Sequence, residues 1–261
     1  MAMPESTRRE IKTKLKESLL RKINEYELDT KDAAKPFQYA LFTRDRYLVK
    51  SFIHGCETSL GNWHEVFARI IAKDKFKVAK KLTGTDKLIG KISEGALQKM
   101  EQILSDLDDN TRTPDIAAET DEIYKARKQG DSIKREQTVD LYLEKEDGSE
   151  VYIEMKGPKP NKNEVKAAKK DLFEIYGIRA NEGKKVEIYL GMHYNSYAPE
   201  RYDRWTVTKF FQLGNDFVVG DSFWDFIGGE GTYGQLIKIY DDVGKEIALE
   251  LKKKLGSIKD E

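Results

Sequence analysis

The chain has 261 residues, of which 39% are hydrophobic and 35% charged, so it can bury a substantial core and does not have the composition of a disordered protein. Its 46 Lys and Arg residues balance its 46 Asp and Glu residues, so net charge indicates no particular partner. The single cysteine, Cys56, excludes an intramolecular disulfide framework. No signal peptide and no apolar run of membrane-spanning length is visible, so we expect a cytoplasmic protein without a membrane partner.

The first half of the chain has the apolar periodicity of helices. We predict an amphipathic helix over residues 8–26 and two helices within 38–72, with a break between them near 59–62. A further helix is predicted near 90–106. The polar, poorly periodic residues 107–135 are interpreted as a loop-rich connection that contains a short helix.

The second half alternates between strand and helix patterns. The predicted elements are a strand, turn and strand over 137–156, a helix over 162–178, a strand over 185–194, at least one strand within 205–227 and a final helix over about 232–255. Asn161 and Glu164 have the spacing of a capping box at the start of the first of these helices. Because that helix lies between two strands, it can cross over to a parallel strand.

The turn between the two strands of 137–156 decides which side chains face one another. An Asp-Gly pair there can form a two-residue loop, or Gly148 can end a three-residue loop with a bulge, and the two loops differ by one residue in register. The apolar faces of the strands coincide only with the three-residue loop, which pairs Leu141 with Ile153. That register places Asp140 opposite Glu154, with Cβ atoms about 4.5–5.5 Å apart.

Two facing carboxylates repel one another unless a cation or a proton relieves the conflict. Mg²⁺ prefers oxygen ligands, and Lys156 lies two residues beyond Glu154 on the same face, about 6.6 Å along the strand. A lysine there can orient a water molecule, accept its proton or neutralise an attacked phosphate. The pattern therefore predicts metal-assisted phosphodiester hydrolysis by Asp140, Glu154 and Lys156. A solvated, salt-bridged sheet surface is the alternative interpretation.

The residues of this hairpin resemble the signature of the PD-(D/E)XK nucleases. Asp140 is followed by thirteen residues and then by the run Glu154-Met155-Lys156. The segments "KREQTVDLYL" and "GPKPNKNE" are similar to a subset of type II restriction endonucleases, and "GDSFWDFIGGEGTYGQLI" resembles the same subset. One position departs from the signature, because Val139 precedes the aspartate where the signature has proline.

The resemblance implies a Mg²⁺-dependent enzyme that cleaves double-stranded DNA at a short palindrome as a homodimer, in a prokaryotic cytoplasm and without a nucleotide cofactor. Asp140, Glu154 and the backbone carbonyl of Met155 would bind Mg²⁺, and Lys156 would assist the attacking water. Several such nucleases take a further acid from an N-terminal helix, for which Glu65 is the candidate. The resemblance alone suggests a GC-rich site such as GGNCC.

Candidates for DNA contacts follow the signature and the next strand. They are Lys159, Asn161, Lys162, His193 and Asn195. Most protein–DNA hydrogen bonds go to phosphate and sugar, which suits a polar, basic segment beside a cleavage site. An ordinary polar loop is the alternative interpretation of the same residues.

We expect an α/β restriction-endonuclease-like fold, with a mixed central sheet flanked by helices. A single nuclease domain over residues 1–261 would comprise a mainly helical part at 1–133 and a catalytic α/β core at 134–261. Two other functions stay open. A DNA repair nuclease or junction resolvase of the same fold would cut only damaged or branched DNA, and a non-catalytic DNA-binding module would cut none.

Overall fold

The computed structural model describes residues 3–26 and 36–259, within which the chain divides into two compact units. The sheet unit consists of Ala68–Tyr233, and the helical unit consists of the described parts of Met3–Phe67 and Gly234–Glu261. The extent of the nuclease domain, expected to include all of residues 1–261, stays a prediction.

The helices and strands alternate irregularly along the chain. In chain order they are α1 (Glu5–Glu25), α2 (Pro36–Leu41), α3 (Arg44–Ala72), β1 (Val78–Leu82), a 3₁₀ turn (Gly84–Asp86), β2 (Leu88–Ser93), α4 (Glu94–Asp108), α5 (Ile116–Ala126), β3 (Ser132–Gln137), β4 (Val139–Glu144), β5 (Glu150–Lys156), α6 (Lys162–Asn181), β6 (Val186–Met192), α7 (Trp205–Thr208), β7 (Phe217–Val219), α8 (Asp221–Gly228), α9 (Thr232–Glu246) and α10 (Ala248–Lys259).

Five of the strands form one mixed sheet in the order β1-β4-β5-β6-β7, and β2 and β3 form a separate antiparallel ribbon. Strands β1, β4 and β5 are antiparallel neighbours, whereas β5, β6 and β7 are parallel. A hydrophobic cluster that includes Tyr152 of β5 and Phe173 of α6 fills the space beneath that helix. The mixed sheet with flanking helices is therefore confirmed.

The hairpin between β4 and β5 has the predicted register. Leu141 pairs with Ile153, and the Lys145 amide donates to the Ser149 carbonyl at 2.9 Å, which leaves a three-residue loop. Gly148, the last residue of that loop, has a φ of 78°, a conformation that disfavours a side chain. The apolar pattern of the two strands was thus sufficient to choose between the loops.

Helix α6 is the predicted crossover between parallel strands β5 and β6. It begins with a complete capping box, in which the Asn161 side chain accepts from the Glu164 amide and the Glu164 side chain accepts from the Asn161 amide. Each cap interaction satisfies a backbone N–H that has no partner within the helix, and so fixes where the helix begins.

A buried charged cluster connects α6 to two other segments of the sheet unit. Lys169 Nζ lies 2.7 Å from Glu119 Oε2 and 2.6 Å from Asp216 Oδ2, and all three side chains are at most 1% exposed. The Glu119 contact is an ion pair without hydrogen-bond geometry. The same ammonium also lies near the faces of two phenylalanine rings, 4.9 Å from the centroid of Phe173 and 4.7 Å from that of Phe211. The cluster fixes α5, α6 and the approach to β7 together.

Several boundaries differ from the sequence prediction. The helix expected near 90–106 begins at Glu94, because the preceding residues form β2 of the ribbon. Strands β1, β2 and β3 were not predicted, since they are short and their pairing is distant in sequence, and β1 and β3 are also strongly charged. The short helix expected within residues 107–135 is α5.

The helical unit shows two further differences. Helix α3 continues through residues 59–62, so the predicted break there is wrong. Gly61 costs the helix about 1 kcal/mol relative to alanine, and packing such as that between the Trp63 and Phe67 rings, 5.5 Å apart, outweighs it. The single helix expected over 232–255 is two helices, which meet at Ile247.

Helix α1 packs through its apolar stripe within the helical unit, where Ile11, Leu15 and Ile23 are buried. On its polar side, Lys12 and Lys16 form ion pairs with Glu246 of α9 at 2.7 and 2.8 Å. None of the helices within the described ranges combines the length and the apolar character that a membrane span requires.

Candidate active site

The two acids of the hairpin lie where β4 begins and β5 ends. The observed register, continued by one residue, places Asp140 opposite Glu154. Asp140 Oδ2 accepts a hydrogen bond from the Met155 amide at 3.0 Å, which fixes the carboxylate against the neighbouring strand. Both acidic side chains are largely covered, with 19% of Asp140 and 16% of Glu154 exposed.

Burial and charge act together on Glu154. Burial, followed by the charge of Asp140, raises the pKa of the Glu154 carboxyl to about 7, against the opposing effect of Lys156. Lys156 Nζ lies 2.6 Å from Glu154 Oε1. Burial alone would lower the pKa of Lys156, but the negative charges of Glu154 and Asp140 outweigh it and the pKa is raised. The acids and the lysine of the signature are therefore brought together as one electrostatic group.

A second lysine, which the sequence did not reveal, adjoins this group. Lys81 of β1 places its Nζ 3.4 Å from Asp140 Oδ1. The register between β1 and β4 shifts here, because the flanking pairs are Lys80 with Tyr142 and Leu82 with Val139. Two residues of β4 therefore oppose Lys81 alone, which is the geometry of a β-bulge, a feature that redirects side chains beside active sites.

A further acid, Asp171 of α6, also acts on the site through its charge, which affects both Glu154 and Lys156. Burial, followed by the charge of Glu174, raises the pKa of Asp171. Among the described residues, no cluster of three or more His, Cys, Asp or Glu side chains has the arrangement of a metal site. The candidate oxygen ligands beside Lys156 are the two signature carboxylates and nearby backbone carbonyls.

The "GPKP" segment after the signature is held through its carbonyl groups. Tyr202 Oη donates to the Pro158 carbonyl at 2.9 Å, and Arg204 Nε and Thr206 Oγ1 donate to the Pro160 carbonyl at 2.9 and 3.0 Å. Because Pro158 and Pro160 have no N–H, their carbonyls are the backbone groups through which these two residues can be fixed. The loop that follows β6 therefore sets the position of the chain directly beyond Lys156.

Tyr202→Phe tests this attachment. The hydroxyl is removed from a side chain that is 2% exposed, and the Pro158 carbonyl keeps only the long 3.5 Å hydrogen bond from Ser196 Oγ, so we expect the free energy of unfolding to fall by about 1–2 kcal/mol. Urea denaturation of the variant and of the wild-type chain measures the difference. Tyr194→Phe, at an exposed side chain, serves as the control and should change stability by less than about 0.5 kcal/mol.

Three of the predicted DNA-contact residues surround the start of α6. Lys159 is exposed and lies 5.9 Å from the centre of the Tyr197 ring. The Asn161 oxygen is engaged in the helix cap, and Lys162 Nζ lies 2.9 Å from Asp108 Oδ1. Hydrogen bonds from Lys166 and Lys162 lower the pKa of Asp108 to about 2. A DNA role for these three residues stays a prediction.

The remaining candidates occupy different settings. Burial lowers the pKa of His193 to about 4, so this ring is neutral at physiological pH. The Asn195 amide is used at both ends within its own loop, donating to the Glu200 carbonyl and accepting from the Tyr197 amide, both at 2.8 Å. Glu65 is half-buried in the C-terminal third of α3, within the helical unit, and the helix break used to select it does not exist. The roles predicted for these residues stay predictions.

Pro114-Asp115 is the literal Pro-Asp pair of the chain, and it plays a different part. Asp115 is the N-cap of α5, where its side chain accepts from the Ala117 and Ala118 amides at 3.1 Å each. A carboxylate committed to a helix cap is a structural group. This geometry agrees with the prediction that Asp140 is the aspartate of the signature, although Val139 rather than proline precedes it.

Comparison with known proteins decides the class. The family model for "Type II restriction endonuclease, HinfI" matches residues 3–244, which is most of the chain. The chain belongs to the HinfI family of type II restriction endonucleases. The HinfI family accounts for the restriction-endonuclease-like fold and for site-specific cleavage of DNA, and it favours restriction over the repair and non-catalytic alternatives.

Individual relatives of this HinfI-family enzyme agree with that assignment. The type II restriction enzymes HgiCII and HgiEI of Herpetosiphon aurantiacus are each 29% identical over 225 residues, which cover 85% of this chain and 81% of the relative. The type II restriction enzyme MjaII of Methanocaldococcus jannaschii is 25% identical over 214 residues, 76% of this chain and 55% of the relative.

Proposed function

We propose that this HinfI-family enzyme hydrolyses DNA phosphodiesters with Mg²⁺ at the site formed by Asp140, Glu154 and Lys156. The observation that carries the proposal is the buried Glu154 carboxylate beside a second acid, with the Lys156 ammonium at 2.6 Å. A strand surface that only stabilised the fold would gain nothing from two neighbouring acids, because their like charges repel one another. A hydrolytic site that binds a divalent cation needs them.

The residues present fit Mg²⁺. Carboxylate oxygens are the ligands that this cation prefers. Burial, followed by the charge of Asp140, raises the pKa of Glu154, and a divalent cation between the two carboxylates would relieve their mutual repulsion. Within a strand, the N–H and C=O of one residue point to the same edge. Because the Met155 amide contacts Asp140, the Met155 carbonyl points to the same edge of β5, and it is the third proposed ligand. When bound, Mg²⁺ supplies Lewis-acid stabilisation of charge on the phosphate.

Lys156 is proposed to act as a cation and hydrogen-bond donor. Its raised pKa keeps the ammonium protonated at neutral pH in the metal-free enzyme. From its place beside Glu154 it can hold the attacking water and neutralise the negative charge that develops on the phosphate. Of the three roles that the sequence left open for Lys156, this proposal keeps orienting the water and neutralising the phosphate, and it leaves out accepting the proton.

We also propose that two copies of the chain act on a palindromic DNA site. A two-fold protein matches a two-fold site, and the HinfI-family assignment implies double-stranded DNA as the partner. Lys159, Asn161, Lys162, His193 and Asn195 are the proposed DNA contacts. Light scattering of the purified protein with and without its DNA site measures whether two copies assemble.

Digestion of a sequenced plasmid tests the proposed function. With MgCl₂ we expect a defined ladder of fragments, whose mapped ends give the recognition sequence and show whether it matches GGNCC. With EDTA in place of MgCl₂ we expect intact plasmid. Equal cleavage in the presence of EDTA would contradict the metal-dependent mechanism, and random degradation would contradict recognition of a specific site.

A further inference from the structure

Lys81 contacts the cleavage site but takes no part in the chemistry proposed above. Its Nζ lies 3.4 Å from Asp140 Oδ1, while Asp140 Oδ2 is fixed by the Met155 amide. The bulge in β4 gives Lys81 this position beside the acid. The Lys81 side chain is 35% exposed and the Asp140 side chain 19%, so the pair opens to solvent on the lysine side.

Each acid of the site has its own lysine. Asp140 is paired with Lys81, and Glu154 is paired with Lys156. Two carboxylates and two ammonium groups balance in the metal-free enzyme. A divalent cation held by both carboxylates would leave an excess of two positive charges, and Lys81 would lose its attraction to Asp140.

We propose that Lys81 is a positioning residue that couples cation binding to DNA binding. In the metal-free enzyme its ammonium forms an ion pair with the carboxylate of Asp140. When a cation takes its place, the flexible lysine side chain turns to a phosphate of the DNA backbone, with which an ammonium interacts favourably as a point charge. The inference rests on the proposed function, since it requires Asp140 to bind a cation.

Binding of Mn²⁺ in the absence of DNA separates this role from a structural one. Lys81→Met removes the group that competes for Asp140, so we expect Mn²⁺ to bind about fivefold more tightly or better, measured by titration calorimetry. Lys81→Arg should remain close to wild type. A lysine that only supports the fold would leave the affinity unchanged or weaken it, and either result overturns the proposal.

Lys77→Met is the matched control. Lys77 directly precedes β1. It pairs at 2.5 Å with Glu144, an acid at the end of β4 that is far from Asp140. It should show the wild-type affinity for Mn²⁺. Asp140→Asn should lose Mn²⁺ binding, which shows that the titration reports on this site. If the wild-type enzyme binds no Mn²⁺, the proposed metal site fails, and the role of Lys81 fails with it.

The affinity for DNA supplies the second measurement. Fluorescence anisotropy of a duplex containing the mapped site is recorded in EDTA and in Ca²⁺, with the duplex verified as uncut. The wild-type enzyme should gain at least about fivefold in affinity on addition of Ca²⁺, and Lys81→Met should gain less. An equal gain in both proteins overturns the proposed coupling while leaving the cleavage site itself intact.

Discussion

Glu154→Gln is expected to reduce the rate of DNA cleavage by about 10³-fold or more, because the amide removes an anionic oxygen ligand and leaves the cation bound weakly or misplaced. Asp140→Asn and Lys156→Met should have effects of similar size. Binding of the duplex in EDTA should be retained within about threefold, since most of the binding contacts go to the DNA backbone outside the cleavage site. Plasmid cleavage and fluorescence anisotropy measure the two properties separately.

Glu146→Gln is the matched control for Glu154→Gln. Glu146 lies in the turn at the other end of the same hairpin and is exposed. Its replacement should leave cleavage within about twofold of wild type. Cleavage at the wild-type rate by Glu154→Gln would remove Glu154 from the proposed site.

The same substitution should stabilise the metal-free protein. The folded-state pKa of Glu154 is about 7 compared with an ordinary value of 4.5, so the folded chain binds more protons than the unfolded chain between these values. The free energy of unfolding therefore falls as pH rises from 4.5 to about 7. Glu154→Gln removes the titrating group and with it this loss of stability. In EDTA the variant should exceed wild type by about 2 kcal/mol at pH 8 and by little at pH 4.5. Urea denaturation at the two pH values checks the sign.

Lys169→Met is expected to lower the free energy of unfolding by about 3–5 kcal/mol. The change removes the cation between Glu119 and Asp216 and leaves two buried carboxyl groups without it. That loss is a large part of the 5–15 kcal/mol by which domains are typically stable. Because the cluster joins α5, α6 and the approach to β7, the loss should appear in the unfolding of the whole sheet unit. Urea denaturation followed by circular dichroism measures it.

Lys170→Met controls for the loss of a lysine from the same helix. Lys170 is exposed on α6 beside the buried residue, and its replacement should change stability by less than about 0.5 kcal/mol. If Lys169→Met also lowers the free energy of unfolding by less than about 1 kcal/mol, the ion cluster does not determine stability. The aromatic packing around residue 169 then holds these segments together.

The sequence was most informative where a pattern was local. The alternation around Leu141 and Ile153 selected a hairpin register, and the spacing of Asn161 and Glu164 located a helix start. Both depend on residues a few positions apart, whose geometry is set by the strand or the helix itself. The pairing of Asp140 with Glu154 followed from the register.

The sequence was least informative where contacts join distant segments. Lys81 reaches Asp140 only because β1 pairs with β4 through a bulge, and no local pattern marks either the pairing or the bulge. Gly61 and Asn62 look like a helix break, yet packing keeps α3 continuous. Lys169 lies in the lysine-rich sequence of α6, which gives no sign that it is buried, because the two acids that pair with it, Glu119 and Asp216, are distant in sequence.

The hydrogen bonds to the Pro158 and Pro160 carbonyls connect the loop proposed to contact DNA with the segment that follows Lys156. A change of DNA recognition sequence is therefore expected to affect turnover as well. These contacts come from Tyr202 and Arg204 of the loop after β6 and from Thr206 of α7, and the same loop begins with the proposed DNA contacts His193 and Asn195. Remodelling that loop to recognise another DNA sequence would also release the chain that directly follows Lys156, the proposed catalytic lysine. Variants selected for a new site are therefore expected to lose turnover first, and specificity in this lineage should evolve by compensated pairs of changes rather than by single ones.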